Sequence, residues 1–398
     1  MNSLIAVVGQ GYVGLPLAVE AAEAGYKVVG IDRNDVVVKR INDGESVIED
    51  ITSLRVSNLL NSGHYKASGD FKELLNCSII IICVPTPLAS DHKPDLSYLE
   101  NAGVSVSKFL KKGDLVILES TVSPGTTRDF LMPLLEKGSG LSRNDFSLAF
   151  SPERIDPKNS KWTLKNTPKI IAGYNEEASR RGIEFYSQFV ETVIDCGMLE
   201  VAETAKLLEN SFRLINIAFI NEFAGFCKVL GVDVEKVINA ASTKPYGFMP
   251  FSPSLGVGGH CIPVDPLYLA SKAREIGVAT QFIDLADQLN SNLPGMVIST
   301  VSAKLGGLLE KKILVVGISY KPNISDTRES PAIKLIEGLR ANGAKVDWHD
   351  ELVNYWNGER STVLSENYDL IVVATEHDYI DLSIIKNTEI LSARKNNW

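Results

Sequence analysis

The chain has 398 residues, 44% of them apolar, enough to bury more than one core, and ordinary domain sizes predict two or three units, three being the working number. Its 49 acidic against 40 basic side chains leave a formal charge of -9 with no long run of one sign, which disfavours a nucleic-acid surface. The first residues carry no basic region or small-residue cleavage site, no apolar run approaches membrane-spanning length, and Cys77, Cys83, Cys196, Cys227 and Cys261 show no CxxC pairing, so reduced thiols in a cytoplasm, no membrane partner and no metal site are expected.

Leu4 to Val8, Lys27 to Ile31, Ser78 to Val84 and Leu115 to Leu118 are short apolar runs separated by helical patterns, the signature of a parallel sheet covered on both faces. The first strand runs into Gly9-Gln10-Gly11-Tyr12-Val13-Gly14 at the start of a helical pattern, and Asp32 ends the second. In that context Gly9 and Gly11 let the backbone turn and approach a pyrophosphate, Gly14 lets helix and strand pack closely, and the helix N-terminus attracts the phosphate charge. Asp32 suits the adenosine ribose diol of NAD and repels the extra phosphate of NADP, although the adjacent Arg33 is a base able to accept that phosphate. Thr86, in Cys83-Val84-Pro85-Thr86-Pro87, and Thr121, in Glu119-Ser120-Thr121-Val122, each follow a strand and offer hydroxyls to a ligand; an ordinary turn hydroxyl explains each equally well.

Beyond the strand Leu148 to Phe150 lies the charged loop Ser151-Pro152-Glu153-Arg154-Ile155-Asp156-Pro157, where Glu153 suits a base or water anchor and Arg154 a phosphate or sugar. Leu199 to Leu230 reads as one long helix, and Lys206, Asn210 and Arg213 share a face of it, as a site or as its solvent edge. Gly256-Val257-Gly258-Gly259-His260-Cys261 follows, with Asp265 four residues after the thiol: a nucleophile with a group to manage protons, or a core cysteine behind a loop. His260 and Cys261 are neighbours on an extended chain and point to opposite sides, so no dyad is assigned. Strands are expected at Lys311 to Val316 and Asp369 to Thr375, in a second α/β unit.

Taken together, these motifs resemble the UDP-sugar 6-dehydrogenase family: Gly9 to Gly14, Val84 to Pro87, Ser120-Thr121, Ser151 to Arg154, Ala205-Lys206 through Asn210, Gly258 to Cys261, and Tyr320-Lys321-Pro322 through Asp326-Thr327-Arg328-Glu329-Ser330. The resemblance implies two Rossmann-like doubly wound domains joined by a long central helix and a helical dimerisation domain, with an NAD-binding domain over 1–195, the central part over 196–300 and a UDP-sugar-binding domain over 301–398. It implies NAD as cofactor, a UDP-sugar as substrate and a homodimer. By the same resemblance, Cys261 would capture the aldehyde formed at the sugar's 6-position, with Lys206, Asn210, Asp265, Glu153 and Thr121 assisting it. Gly9, Gly11, Tyr12, Val13, Gly14, Asp32, Arg33, Thr86, Thr121 and Arg328 would bind the cofactor, and Arg154, Ile155, Lys206, Asn210, Arg213, Phe251, Gly258, Lys321 and Arg328 the substrate.

The stretch Thr243 to Phe251 is similar to the UDP-N-acetylglucosamine branch. UDP-glucose members more often carry Pro at the place of His260 and Lys at that of Val264, acetylmannosamine members carry Arg near Gly247, and Pro253-Ser254-Leu255 departs from the family's usual glycine. Two other readings make different demands. A 3-hydroxyacid dehydrogenase shares the first domain and a Lys-Asn helix but leaves the Cys261 loop unexplained, and a non-catalytic sugar-nucleotide sensor predicts loss of Cys261, Lys206 or Asn210, all of which are present.

Overall fold

Strand β1 (Leu4–Val8) is apolar throughout, and its side chains alternate between two cores: Ile5 and Val7 enter one, Ala6 and Val8 the other. The computed structural model describes residues 4–156, 159 and 161–392. After β1 come α1 (Gly14–Glu23), β2 (Lys27–Ile31), α2 (Asp35–Asn42), α3 (Ser53–Asn61), β3 (Tyr65–Ser68), β4 (Cys77–Ile82), α4 (Ser97–Ser107), β5 (Leu115–Leu118), α5 (Met132–Ser139), β6 (Ser147–Phe150), β7 (Lys169–Gly173), α6 (Glu176–Tyr186) and β8 (Val193–Asp195).

The strands form one sheet in the order β3-β2-β1-β4-β5-β6-β7-β8, parallel except where β6 meets β7. Leu15, Val56 and Phe185 bring α1, α3 and α6 onto one face; Leu99, Ala102, Met132 and Leu135 bring α4 and α5 onto the other. The chain leaves β1 toward β2 on one side and resumes on the other with β4, so the order reverses between β1 and β4. In a sheet of this kind ligands bind at the carboxyl ends of the strands beside that reversal. Local signals fix the helix starts: Asn34 accepts from the Val36 amide to open α2, Thr52 from Arg55 to open α3, and Asn175 from Ala178 to open α6.

Helix α7 (Leu199–Leu230) has the bounds that its periodicity predicts. It is followed by α8 (Val234–Ala241), α9 (Asp265–Glu275), α10 (Gln281–Leu305), β9 (Lys312–Val316), α11 (Pro331–Ala341), β10 (Lys345–His349), a short hairpin of β11 (Tyr355–Trp356) and β12 (Glu359–Arg360), β13 (Leu370–Val373) and β14 (Ile390–Ser392). A second parallel sheet runs β10-β9-β13-β14. Leu335, Ile336 and Leu339 of α11 cover one face together with Leu293, Val297 and Val301 of α10; loop residues such as Leu364 and Tyr368, with one turn of 3-10 helix at Leu382–Ile384, cover the other.

Two compact units result, one up to Leu208 and one from Glu209 onward. The division falls inside α7, and the helical segment after it shares a core with the second sheet through α10. Observed strands are slightly offset from the expected runs: β4 stops at Ile82, because Val84 turns out of the sheet and its carbonyl accepts from Ser120 Oγ at 2.6 Å. Among the described residues, no helix is long and apolar enough to cross a membrane.

Candidate active site

In the first unit the turn after β1 is shaped by contact. Gly9 has φ +95°, and a Cβ there would lie 2.6 Å from the Cys83 carbonyl oxygen. A Cβ on Gly14 would lie 1.8 Å from the Gly9 oxygen, so α1 can start this close to β1 only with glycine there. Gly11 differs, because a Cβ there would meet no protein atom within 4 Å, so internal packing does not require glycine at that position. No side chain caps α1 and no acid lies in its first turn, as an anion-accepting N-terminus requires.

Asp32 holds this turn from β2. One carboxylate oxygen accepts the Gln10 amide at 2.8 Å and the other the Asn34 amide at 2.9 Å, each retaining lone-pair capacity for a diol. Arg33 beside it is exposed. The Gln10 side chain turns inward, where its amide donates to the Val7 carbonyl at 2.8 Å and its oxygen accepts from the buried Tyr65 hydroxyl at 2.6 Å. Tyr12 bonds Glu49 at 3.1 Å and Val13 is half-buried. Thr86 donates to the Thr121 carbonyl at 2.8 Å, so the two loops expected to offer hydroxyls are stitched together at the sheet edge. These residues fit an NAD pyrophosphate and ribose.

The same unit holds a chain of buried charges that sequence reading found only in part. Lys206 of α7 donates to the Glu153 carbonyl at 2.6 Å and pairs with its carboxylate at 3.3 Å, both side chains being under a tenth exposed. Lys169, in β7, donates to the Pro152 carbonyl at 3.3 Å and pairs with Glu119 at 3.0 Å; Tyr186 donates to that same carboxylate. Two lysines thus grip consecutive carbonyls of the Ser151 to Glu153 segment. A lysine opening the apolar run Lys169-Ile170-Ile171-Ala172 was the available signal, since an unpaired charge is not buried there. Glu203, also missed, accepts from the Gly125 amide at 2.6 Å and the Thr127 amide at 2.9 Å; burial raises its carboxyl above the ordinary value against those bonds. Arg154 donates to the Pro168 carbonyl at 2.9 Å, and the Ile155 amide donates to Glu153. Pro157, the far bound of the expected loop, lies outside the described residues.

In the second unit the Cys261 carbonyl accepts from the Asp265 amide at 2.8 Å, so the four-residue spacing read from sequence is the turn that opens α9. The buried Asp265 carboxylate accepts from the Asn210 amide nitrogen at 2.5 Å. Arg213 departs from its expected companions in being exposed where Lys206 and Asn210 are buried. Phe251 packs edge-on against Phe212 with ring centroids 6.0 Å apart.

The glycines before the thiol have a measurable reason. A Cβ on Gly258 would lie 2.6 Å from Tyr320 Cβ, and one on Gly259, at φ +81°, 2.8 Å from the Tyr320 ring. The Gly259 amide donates to the Arg328 carbonyl at 3.0 Å. The Cys261 loop and the loop carrying Lys321 are therefore in direct contact. Lys321 is half-buried, and the exposed Arg328 lays its guanidinium on Asp326 at 2.5 to 3.0 Å.

Cys261 and Cys196 are half-buried, whereas Cys77, Cys83 and Cys227 are buried. Burial pushes the Cys77 thiol up to about 12 and the Cys83 thiol well above its ordinary value. At about pH 8, iodoacetamide is expected to label Cys261 and Cys196 before the other three, as peptide mass spectrometry will show; early labelling of Cys83 would contradict this. No group of three or more His, Cys, Asp or Glu among the described residues is placed to hold a metal ion.

Residues 3–190 match the NAD-binding domain, 200–292 the central domain and 314–394 the UDP-binding domain of the UDP-glucose/GDP-mannose dehydrogenase family. The chain belongs to that family. It is 39% identical to the UDP-N-acetyl-D-mannosamine dehydrogenase of Pyrococcus horikoshii, over 94% of this chain and 89% of that one. It is 36% identical to the UDP-N-acetyl-D-glucosamine 6-dehydrogenase of Pseudomonas aeruginosa, over 94% and 90%. The structure of a UDP-glucose dehydrogenase from Pyrobaculum islandicum superposes with a TM-score of 0.92 at 26% identity, covering 100% of this chain and 95% of that one. The family match agrees with the NAD reading of the first sheet and makes the second a UDP-binding fold.

Proposed function

We propose that this NAD-dependent UDP-sugar dehydrogenase oxidises the 6-hydroxyl of a UDP-N-acetylhexosamine, UDP-N-acetylglucosamine first, to the uronic acid by way of a thioester on Cys261. The observation that carries the reading is the placement of a half-buried thiol on the turn that opens α9, whose Asp265 is locked to Asn210. The assignment 1–195, 196–300 and 301–398 to NAD-binding, central and sugar-nucleotide-binding parts goes with it, supported by the three matched segments.

The glycine turn and Asp32 would hold NAD, which would supply the hydride acceptor for both oxidations. The substrate alcohol gives up its hydroxyl proton to solvent and a hydride to that acceptor, and becomes the aldehyde. Cys261 Sγ, as thiolate, adds to the aldehyde carbon, and the Lys206 ammonium and Asn210 amide stabilise the oxyanion that forms. Loss of the second hydride leaves a thioester. Water then adds to its carbonyl, the C–S bond breaks, and the acid leaves with the thiol restored. Asp265 fixes the Asn210 amide and orients that water, while Glu153 holds Lys206 in place. Thr121, Arg154, Ile155, Arg213, Phe251, Gly258, Lys321 and Arg328 are assigned to cofactor or substrate binding in the same scheme.

The acetylglucosamine choice is supported by the Thr243 to Phe251 stretch and by Gly247, which offers no arginine. Overall identity does not separate the acetylhexosamines, since relatives named for both sugars match over the same share of the chain. Supplying UDP-N-acetylglucosamine, UDP-N-acetylmannosamine, UDP-glucose and UDP-galactose separately with NAD, and counting NADH, tests the proposal. Two NADH per molecule of one acetylhexosamine is expected; no turnover with any of the four sinks it.

Asp32→Ala is expected to raise the KM for NAD about tenfold or more, the equivalent of one to two charge-assisted hydrogen bonds, and to narrow the preference over NADP. An unchanged ratio of NAD to NADP efficiency would remove Asp32 from the ribose site. A homodimer is also part of the reading, supported by Phe212, Phe219 and Phe226, which recur every seventh residue along α7 and are exposed. Phe219→Asp is expected to halve the sedimenting mass, and a wild-type monomer would refute the dimer.

A further inference from the structure

At its reversal point the second sheet repeats the first. Gly9 follows β1 and its amide donates to the Ile31 carbonyl at 2.7 Å; Gly317 follows β9 and donates to the His349 carbonyl at 2.8 Å. A Cβ on Gly317 would lie 2.0 Å from the Thr375 carbonyl, as one on Gly9 would crowd Cys83. Asp32 follows β2 and Asp350 follows β10, and each accepts amides from the loop after the sheet's first strand: Gln10 in one case, Ile318 at 3.0 Å and Ser319 at 3.4 Å in the other.

The two carboxylates then part company. Asp32 is half-buried, but Asp350 is buried, with one oxygen taking the Leu352 amide at 2.9 Å and the Val353 amide at 3.2 Å. Its other oxygen, already on Ile318 and Ser319, also lies 3.1 Å from Nε2 of the buried His377. The Asn323 amide donates to His377 Nδ1 at 2.9 Å, which places the ring proton on Nε2 and aims it at Asp350. Ser319 Oγ, 3.3 Å from the same Nε2, donates to the Lys321 carbonyl at 3.0 Å, and Thr375 Oγ1 donates to the Ser319 carbonyl at 2.7 Å. Asn323 stands at φ +65°, and its side chain exchanges two bonds with Asp378, at 2.7 and 3.1 Å.

We propose that Asp350 and His377 are positioning residues for sugar-nucleotide binding, a latch made from the position that in the first sheet faces a dinucleotide ribose. The latch ties down residues 318–323 from both ends. It presents Lys321, and it seats Tyr320 on Gly258 and Gly259, next to Cys261. A carboxylate filled by its own fold cannot hold a ribose diol, so this sheet is closed to a dinucleotide while its loop is shaped for a different ligand. The inference rests on the proposed reading of residues 301–398 as the sugar-nucleotide-binding part.

The test uses the full chain, with UDP and NAD as separate calorimetric probes. His377→Phe removes both ring nitrogens and is expected to weaken UDP binding about tenfold or more while leaving NAD within about twofold. It is also expected to change the rate at which iodoacetamide labels Cys261 in the site-resolved assay. His377→Gln, which restores a donor and an acceptor, is expected to recover most of the UDP affinity. UDP affinity within about twofold of wild type in His377→Phe, or equal losses for UDP and NAD, overturns the latch. If His377→Phe does not fold, Ser319→Ala decides on the same ratio of UDP to NAD losses. Lys321→Ala separates the two ideas: loss of UDP affinity in Lys321→Ala alone overturns the latch, loss in His377→Phe alone overturns the Lys321 assignment and leaves the latch, and loss in neither overturns both.

Discussion

Cys261→Ser is expected to lower acid formation by about 10³-fold or more, some 4 kcal/mol of activation free energy, with little change in thermal stability. The exchange is nearly isosteric at a half-buried position, and the backbone turn that the Cys261 carbonyl closes with Asp265 does not depend on the side-chain atom. What is lost is the thiolate, since a serine hydroxyl is almost wholly protonated near neutral pH and no imidazole is assigned to activate it. A single equivalent of NADH and an enzyme-retained aldehyde are the expected products. Wild-type stoichiometry and rate in this variant would move the nucleophile elsewhere or abolish it.

Lys206→Met combines two effects that can be separated. The Glu153 carboxylate, under a tenth exposed, loses its ammonium partner, and an uncompensated buried charge of this kind costs about 3–5 kcal/mol of stability. Catalysis is expected to fall as well, by about 10²–10³-fold, because the cation assigned to the developing oxyanion is gone. Adding Glu153→Gln removes the stranded charge, so the double variant should regain most of the lost melting temperature without regaining kcat. Recovery of kcat in the double variant would show that Lys206 acts only through the fold.

The parts of this molecule set by local pattern were legible in the sequence. β1, β2, β5 and α7 have the expected bounds because each is a run of one periodicity ended by glycine, aspartate or a change of polarity. The glycine turn and Asp32 could be placed because their spacing is itself the geometry. Pairing was not legible. Lys206 and Asn210 read as one pair on a helical face, yet Lys206 bonds Glu153 and Asn210 bonds Asp265, both distant in sequence and brought in by other elements. Lys169 with Glu119, and Asp350 with His377, escaped for the same reason: nothing local marks a buried ion as paired until the partner strand is known.

Gln10 occupies the variable position of the glycine turn but spends its side chain on the interior, on Val7 and on the phenol of Tyr65 in the edge strand β3. The shape of the cofactor turn is thereby written partly in a residue that no sequence motif includes. A random-mutagenesis screen for altered coenzyme affinity should return changes at Tyr65 and at Gly30, where any side chain would strike the Gln10 amide 2.5 Å away, alongside the expected glycines. Tolerance to drift at the sheet's edge is correspondingly narrower than its distance from the chemistry suggests.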